Sequence, residues 1–253
     1  MNSITILGSG GGRFVILTQK RRSGGLWMDL DGVKICLDPG PGALVRALDH
    51  GLDPGLLDAV FSSHKHVDHY NDVEVMVEAM THGFRRDHGI LVIAEDVAEY
   101  ISEYHRQGVK TIIPHPGDTL DIKGLQVDVI GTKDHVNGLG FRFATSEGVV
   151  TYAGDTGYSD GILKGYENSR ILILNTIFPR NVESKTHLTT NTASQIAEKA
   201  RPEMLVISHF GMKMIDVGPE EEAAYISKET GVKTIAANDG MMIRLDGTVT
   251  LKE

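Results

Sequence analysis

One cysteine in 253 residues leaves no partner for a disulfide within the chain. That lack excludes a disulfide-stapled scaffold and a metal centre built on several thiolates, and it suits a reducing compartment. Cys36 lies in Val33-Lys34-Ile35-Cys36-Leu37, which reads as a buried strand with a packing thiol. Long apolar runs are missing too: none approaches the roughly 18–20 residues that a membrane-spanning helix needs. Met1-Asn2-Ser3-Ile4-Thr5-Ile6-Leu7 has neither the basic start nor the cleavage site of a signal peptide, so a cytoplasmic location is expected. Positive charge is in deficit, with 25 Lys and Arg against 34 Asp and Glu for a net charge of −9. Broad binding to nucleic acid or to an anionic membrane is therefore disfavoured, although a local basic patch over a small phosphate-bearing substrate is not. Trp27 stands alone and the seven tyrosines show no stacking pattern for nucleic acid.

Apolar residues are plentiful at 41%, enough to bury a substantial core. Short β-like runs dominate the first third, at 4–7, 13–17, 25–30, 33–37 and 59–62, with Asp31-Gly32 as a hairpin signal. Helical spacing marks 43–49, 71–80 and 95–106, with strands at 90–94 and 111–113. The middle reads as strands at 126–130, 140–144, 149–153 and 171–174. The end alternates helix 192–200, strand 205–208, helix 219–229 and strands 233–236 and 242–245. No linker or fixed-period repeat interrupts the chain. A β-rich half and a β/α half, neither able to cover its own sheet, predict one domain over 1–253 with two sheets face to face and helices outside.

The densest chemistry is His64-Lys65-His66-Val67-Asp68-His69, at the end of the strand 59–62. Imidazole nitrogen and carboxylate oxygen together suit zinc, manganese or iron. A straight strand would send His64, His66 and Asp68 to one face and His69 to the other; a tight loop would let Asp68 and His69 turn toward a second ion. Three more strands end in a single ligand-type residue beside small residues: His135, Asp155 and His209. Each alone reads as a turn residue; four such strand ends together read as a metal site. Asp38, in the rigid turn Asp38-Pro39-Gly40-Pro41-Gly42, is a candidate to brace a ligand histidine. Gly8-Ser9-Gly10-Gly11-Gly12 lacks the third glycine of a dinucleotide loop and reads as a turn near the site mouth. Lys20-Arg21-Arg22 reads as a solvated hairpin tip in preference to a substrate clamp.

In this order (His-x-His-x-Asp-His, a lone His, an Asp, a late His) the chain resembles the metallo-β-lactamase-fold hydrolase superfamily over essentially its whole length. The likeness is nearest to the phosphodiesterase branch that includes tRNase Z and the cyclic phosphate phosphodiesterases. The resemblance implies an α/β, four-layer αββα sandwich of two mixed sheets with external helices. It also implies two divalent ions, zinc first, with manganese or iron as alternatives. His64, His66 and His135 would hold one ion and Asp68, His69 and His209 the other, with Asp155 bridging. Asp155 stands where the antibiotic-hydrolysing lactamases have a cysteine, and His66 where flavin-partnered di-iron reductases have a glutamate. The resemblance further implies that two ions roughly 3.5–4 Å apart share a water whose pKa falls toward about 7. Asp68 would then be catalytic as well as a ligand, offsetting metal charge and orienting the attacking water. His187, in Lys185-Thr186-His187-Leu188-Thr189-Thr190, matches the general-acid histidine of the phosphodiesterase branch, and Lys185 is a candidate contact to a phosphate oxygen.

Two departures narrow the substrate. Only 19 residues lie between His135 and Asp155, where tRNase Z carries a long basic arm, and the acidic partner of its general-acid histidine is not recognisable. A small, anionic phosphodiester is the expected substrate, and nucleic acid is not. A thioester, lactone or other ester at the same metals is the alternative, and a non-catalytic metal sensor a third. A homodimer is implied only by analogy with the fold family.

Overall fold

In the computed structural model, which describes residues 2–135 and 137–251, two mixed β-sheets pack face to face. The N-terminal part forms β1 (Ser3–Ile6), α1 (Arg13–Thr18), β2 (Leu26–Leu30), β3 (Val33–Leu37), α2 (Ala43–Asp49), β4 (Ala59–Ser62), α3 (Val67–Tyr70), α4 (Val73–Met80), β5 (Ile90–Ile93), α5 (Glu103–Gln107) and β6 (Lys110–Ile112). Next come β7 (Thr119–Ile122), β8 (Leu125–Gly131), β9 (Leu139–Thr145), β10 (Gly148–Tyr152), β11 (Ser169–Phe178), β12 (Leu188–Thr189) and α6 (Thr190–Ala200). The chain closes with β13 (Met204–Ser208), α7 (Met212–Val217), α8 (Pro219–Thr230), β14 (Thr234–Ala236), β15 (Met241–Arg244) and β16 (Val249–Leu251). The first sheet runs β16-β15-β1-β2-β3-β4-β5-β6 and the second β14-β13-β11-β10-β9-β8-β7, with β12 paired to β11. This is the four-layer arrangement that the residue pattern predicts.

The sheets meet through aromatic side chains. Phe61 on β4 sits edge-on to Phe141 on β9, with ring centroids 5.1 Å apart, and Phe143 lies 5.9 Å from Phe61. All three rings are fully buried, and rings at this spacing add attraction beyond simple area burial. Strand direction then decides where chemistry can gather. β1 and β3 both run antiparallel to β2, and β4 runs parallel to β3, so β1, β3 and β4 end at one edge of their sheet. β8 and β10 both run antiparallel to β9, and β11 and β13 run parallel to β10, so these four also share an edge. Every strand end singled out above lies on one of these two edges.

Residues 13–17 form α1 and not the expected strand. β1 already has β15 on one side and β2 on the other, so this segment finds no free edge to pair with. Its backbone groups are satisfied internally, with Ile16 N–H bonded to Gly12 C=O and Gln19 N–H to Val15 C=O. The expected helix over 95–106 is broken: a 3₁₀ turn covers Glu95–Val97, and α5 restarts only after Ser102, whose hydroxyl caps it by accepting from His105 N–H. β7, β12, β16 and the helix α7 are too short to show a period in the pattern. No helix among the described residues is long and apolar enough to cross a membrane.

Candidate metal centre

After β4 the chain turns sharply. His66 takes the N-cap position of α3, and His69 N–H closes the first turn onto His66 C=O at 2.8 Å. The tight-loop alternative is therefore the one adopted: Asp68 and His69, both buried, group with His209 and not with His64 and His66, although the ring centroids of His64 and His69 lie 4.1 Å apart. Two groups result, His64 with His66, His135 and Asp155, and Asp68 with His69 and His209.

In the first group His64 Nε2 lies 3.0 Å from His66 Nδ1, and His135 Nε2 lies 3.2 Å from His66 Nδ1 and 3.4 Å from His64 Nε2. A tetrahedral ion with nitrogen ligands at 2.0–2.1 Å would space them about 3.3–3.4 Å apart, so the triangle fits a divalent metal. The tautomer of His64 supports this. Ser63 Oγ donates to Asp38 Oδ2 at 2.7 Å, which leaves its oxygen to accept from His64 Nδ1 at 3.0 Å. The lone pair of His64 is thereby on Nε2, facing the other two rings. In the second group His209 Nε2 lies 3.0 Å from His69 Nε2 and 3.2 Å from Asp68 Oδ2. Asp155 faces both: Oδ2 is 3.7 Å from His135 Nε2, and Oδ1 is 3.8 Å from His69 Nε2. Donor type, spacing and orientation all fit a metal pair at these two groups.

A polar network braces these side chains. Asp38 Oδ2 accepts from His69 Nδ1 at 2.8 Å and from Tyr152 OH at 2.6 Å, and Asp38 Oδ1 accepts from Ser63 N–H at 2.6 Å. The bracing role expected of Asp38 is seen directly. Sequence reasoning missed Ser63, Tyr152 and Asn175, and placed Gly12 only in a turn near the site mouth. Asn175 Nδ2 donates to Asp155 Oδ1 at 2.7 Å and to Tyr152 OH at 2.8 Å, and Gly12 N–H donates to Asp68 Oδ2 at 2.8 Å. A single amide at the end of the apolar run 171–174 was the available signal for Asn175. Gly11 is required by its neighbour: a Cβ there would stand 2.3 Å from the ring of His209, itself held at φ 62°.

Burial lowers His64, His66 and His135, the last to about 4, against the pull of Asp155, so these rings are neutral at pH 7 with lone pairs free. For His69 burial would also lower the value, but the carboxylates of Asp155, Asp68 and Asp38 outweigh it and raise it to about 10. Burial works against the charged form of Asp155 as well, yet the imidazoles of His209, His69 and His64 hold it well below the usual carboxylate range. Because His69 must surrender its Nε2 proton to bind a metal, loading at pH 8 is expected to release about one proton from it, and the release should fade as pH rises through about 10. Calorimetric titration of zinc in two buffers of different protonation enthalpy measures this; a buffer-independent heat at pH 8 would contradict it.

An open cleft of about 370 Å³ lies over the two groups, lined in part by His66, Asp68, Asp155, His187 and His209. His187 therefore joins the site: its Nδ1 is 3.5 Å from Asp155 Oδ2 and its ring centroid 4.4 Å from that of His135. Burial lowers its pKa, opposed by Asp155. Lys185 lines a neighbouring cleft with Arg180, Asn181 and Ser184 instead. Lys20 pairs with Asp216 at 3.7 Å and Arg21 with Glu220 at 3.4 Å, so both are directed toward α7 and α8. The glycine-rich turn does sit at the site, through Gly12.

A family model described as the beta-lactamase superfamily domain matches residues 34–210. The chain belongs to that family. Over 96% of its length it is 35% identical to the uncharacterized protein MJ1374 of Methanocaldococcus jannaschii, covering 94% of that protein. It is 25% identical to ribonuclease Z of Methanopyrus kandleri, covering 94% of this chain and 96% of that one. Among solved structures, the metallo-beta-lactamase fold protein YhfI from Bacillus subtilis superposes with a TM-score of 0.81 at 20% identity, over 96% of this chain and 99% of that one. A diphosphatase from the PhnP family gives 0.72 at 20% identity over the full length of both. With its His/Asp clusters, the chain is a metal-dependent hydrolase of the metallo-β-lactamase fold.

Proposed function

We propose that the protein is a binuclear metal-dependent hydrolase that cleaves a small phosphodiester, cyclic or nucleotide-like. The observation that carries this reading is Asp155, whose two oxygens face separate ligand groups while His187 stands beside it in the same cleft. His64, His66 and His135 would hold one ion and Asp68, His69 and His209 the other, with zinc the first candidate. When bound, the ions supply Lewis acidity toward the phosphoryl oxygen and an acidified water as nucleophile.

The remaining work falls to side chains of the chain itself. Asp68 and Asp155 balance the cationic site and orient the attacking water. His187 donates a proton to the departing alkoxide, and Asp155, 3.5 Å from its Nδ1, favours the protonated imidazole that does so. The ribonuclease Z and diphosphatase names of two similar proteins agree with phosphorus–oxygen chemistry. The short connection from His135 to Asp155 and the net charge of −9 favour a small substrate over transfer RNA.

The test is turnover of a chromogenic phosphodiester by protein loaded separately with zinc and with manganese. Replacing His187 with alanine is expected to lower kcat on an alkyl diester by about 10²–10⁴-fold, the usual worth of a positioned proton donor. A thioester needs no such donor because a thiolate leaves unprotonated. A loss of only a few-fold on the diester, with thioesters turned over, would replace this reading by thioester hydrolysis.

A further inference from the structure

Polar groups do not line the cleft alone: Phe14, Ile16, Val67 and Ile177 share its lining. Phe14 is 69% exposed and Val67 43%, so large apolar surface faces the cleft without being buried in the core. This surface is fastened to the site. Gly12, bonded to Asp68 through its N–H, also packs on Ile177 closely enough that a Cβ would lie 3.0 Å from Cδ1. Arg13 and Phe14 are the next two residues, at the start of α1. Arg13 is the one lysine or arginine in the cleft lining, and among the described residues its guanidinium has no ion pair or hydrogen bond, whereas Lys20 and Arg21 nearby are taken by acidic partners.

An exposed phenyl ring beside an unpaired guanidinium matches a ligand that is both planar and anionic. A sugar or alkyl diester would leave Phe14 and Val67 wet, whereas an aromatic ester group would cover them, stacking on the Phe14 ring. We infer that Phe14 and Arg13 form a subsite for an aromatic ester group of an anionic diester, with the ring on Phe14, flanked by Val67 and Ile177, and the phosphate oxygen paired with Arg13. The inference rests on the phosphodiester reading above and names its substrate class. It gives a use to the segment 13–17, which the sheet could not accept as a strand.

Calorimetry of phenyl phosphate and methyl phosphate on the zinc-loaded protein tests it, beside the turnover of p-nitrophenyl phenyl phosphate and methyl p-nitrophenyl phosphate, which share charge and leaving group. Wild type is expected to favour the phenyl member of each pair by about tenfold, a factor typical of one aromatic stack. Phe14→Ala should bring both ratios near one. Arg13→Gln should weaken both members alike and leave the ratios in place. Both residues are exposed, and matched thermal midpoints would show that the fold is intact. Equal binding and equal turnover of the pairs in wild type, or a phenyl preference that survives Phe14→Ala, overturns the subsite while the diester reading stands. Turnover of neither diester overturns the diester reading, and the substrate class with it.

Discussion

Asp155→Ala is expected to lower kcat/KM on a phosphodiester by at least about 10⁴-fold and to reduce bound metal from two ions to one or fewer per chain. The carboxylate is 2% exposed and lies within 4 Å of four imidazoles, those of His69, His135, His187 and His209. Breaking a buried charge pair by removing one partner costs about 3–5 kcal/mol. At about 1.4 kcal/mol per tenfold, a loss of that size is worth about 10²–10³·⁵-fold. Here the same change removes a carboxylate that faces both groups and the anion that favours a protonated His187, so the effects compound within one unit. Asp155→Asn preserves shape and one oxygen but not charge, and should fall close to the alanine variant. Metal content by elemental analysis and kcat/KM on one diester settle it: an alanine variant that keeps two ions and wild-type turnover removes Asp155 from the mechanism. A second consequence is independent of activity. Asp155 leads the carboxylates that raise His69, so the proton released on metal loading at pH 8 should shrink in either variant.

What the sequence shows of this site is set by how local its geometry is. His64, His66, Asp68 and His69 are legible because four ligand-type side chains within six residues have no ordinary structural use. His135, Asp155 and His209 are legible because each follows an apolar strand and because co-directed strands end at one edge. Which cluster each side chain joins came from the resemblance and not from spacing alone, which left a straight strand and a tight loop both open, because the grouping depends on the turn into α3. Asn175 and Tyr152 were hidden for a different reason: Tyr152 ends β10 and Asn175 lies within β11, strands that read as plain core, and their polar tips matter only once β10 and β11 are neighbours. The error over 13–17 has the same root. Those residues are locally suited to a strand, and only the pairing of β1 with both β2 and β15 denies them one. Arg13 and Phe14 were therefore placed in the wrong element, and their position over the cleft could not be foreseen.

Asp38 carries the largest stability effect expected outside the ligands. It is buried and accepts four hydrogen bonds, from Ser63 N–H, Ser63 Oγ, Tyr152 OH and His69 Nδ1. Its backbone is left-handed at φ 54°, a conformation that asparagine tolerates, so Asp38→Asn leaves the turn unstrained and isolates the loss of charge and acceptors. In the variant an amide NH₂ must face donors wherever the oxygen does not, leaving at least one buried donor opposed. An unsatisfied buried group costs about 1–3 kcal/mol, and more where a charged partner such as His69 is involved. Metal-free Asp38→Asn is therefore expected to lose about 3–5 kcal/mol, which for a domain of this size lowers the thermal midpoint by roughly 6–20 °C. Metal affinity should fall by about 10–100-fold, because His69 loses the anchor that fixes its Nδ1–H tautomer, and Ser63, through which His64 is oriented, loses its acceptor. Both ligand groups are braced by one carboxylate, so both affinities should drop together. Competition titration against a chelator separates the two binding steps. A variant that weakened only the step involving His69, or that unfolded at the wild-type temperature, would show that Asp38 braces less than the geometry implies.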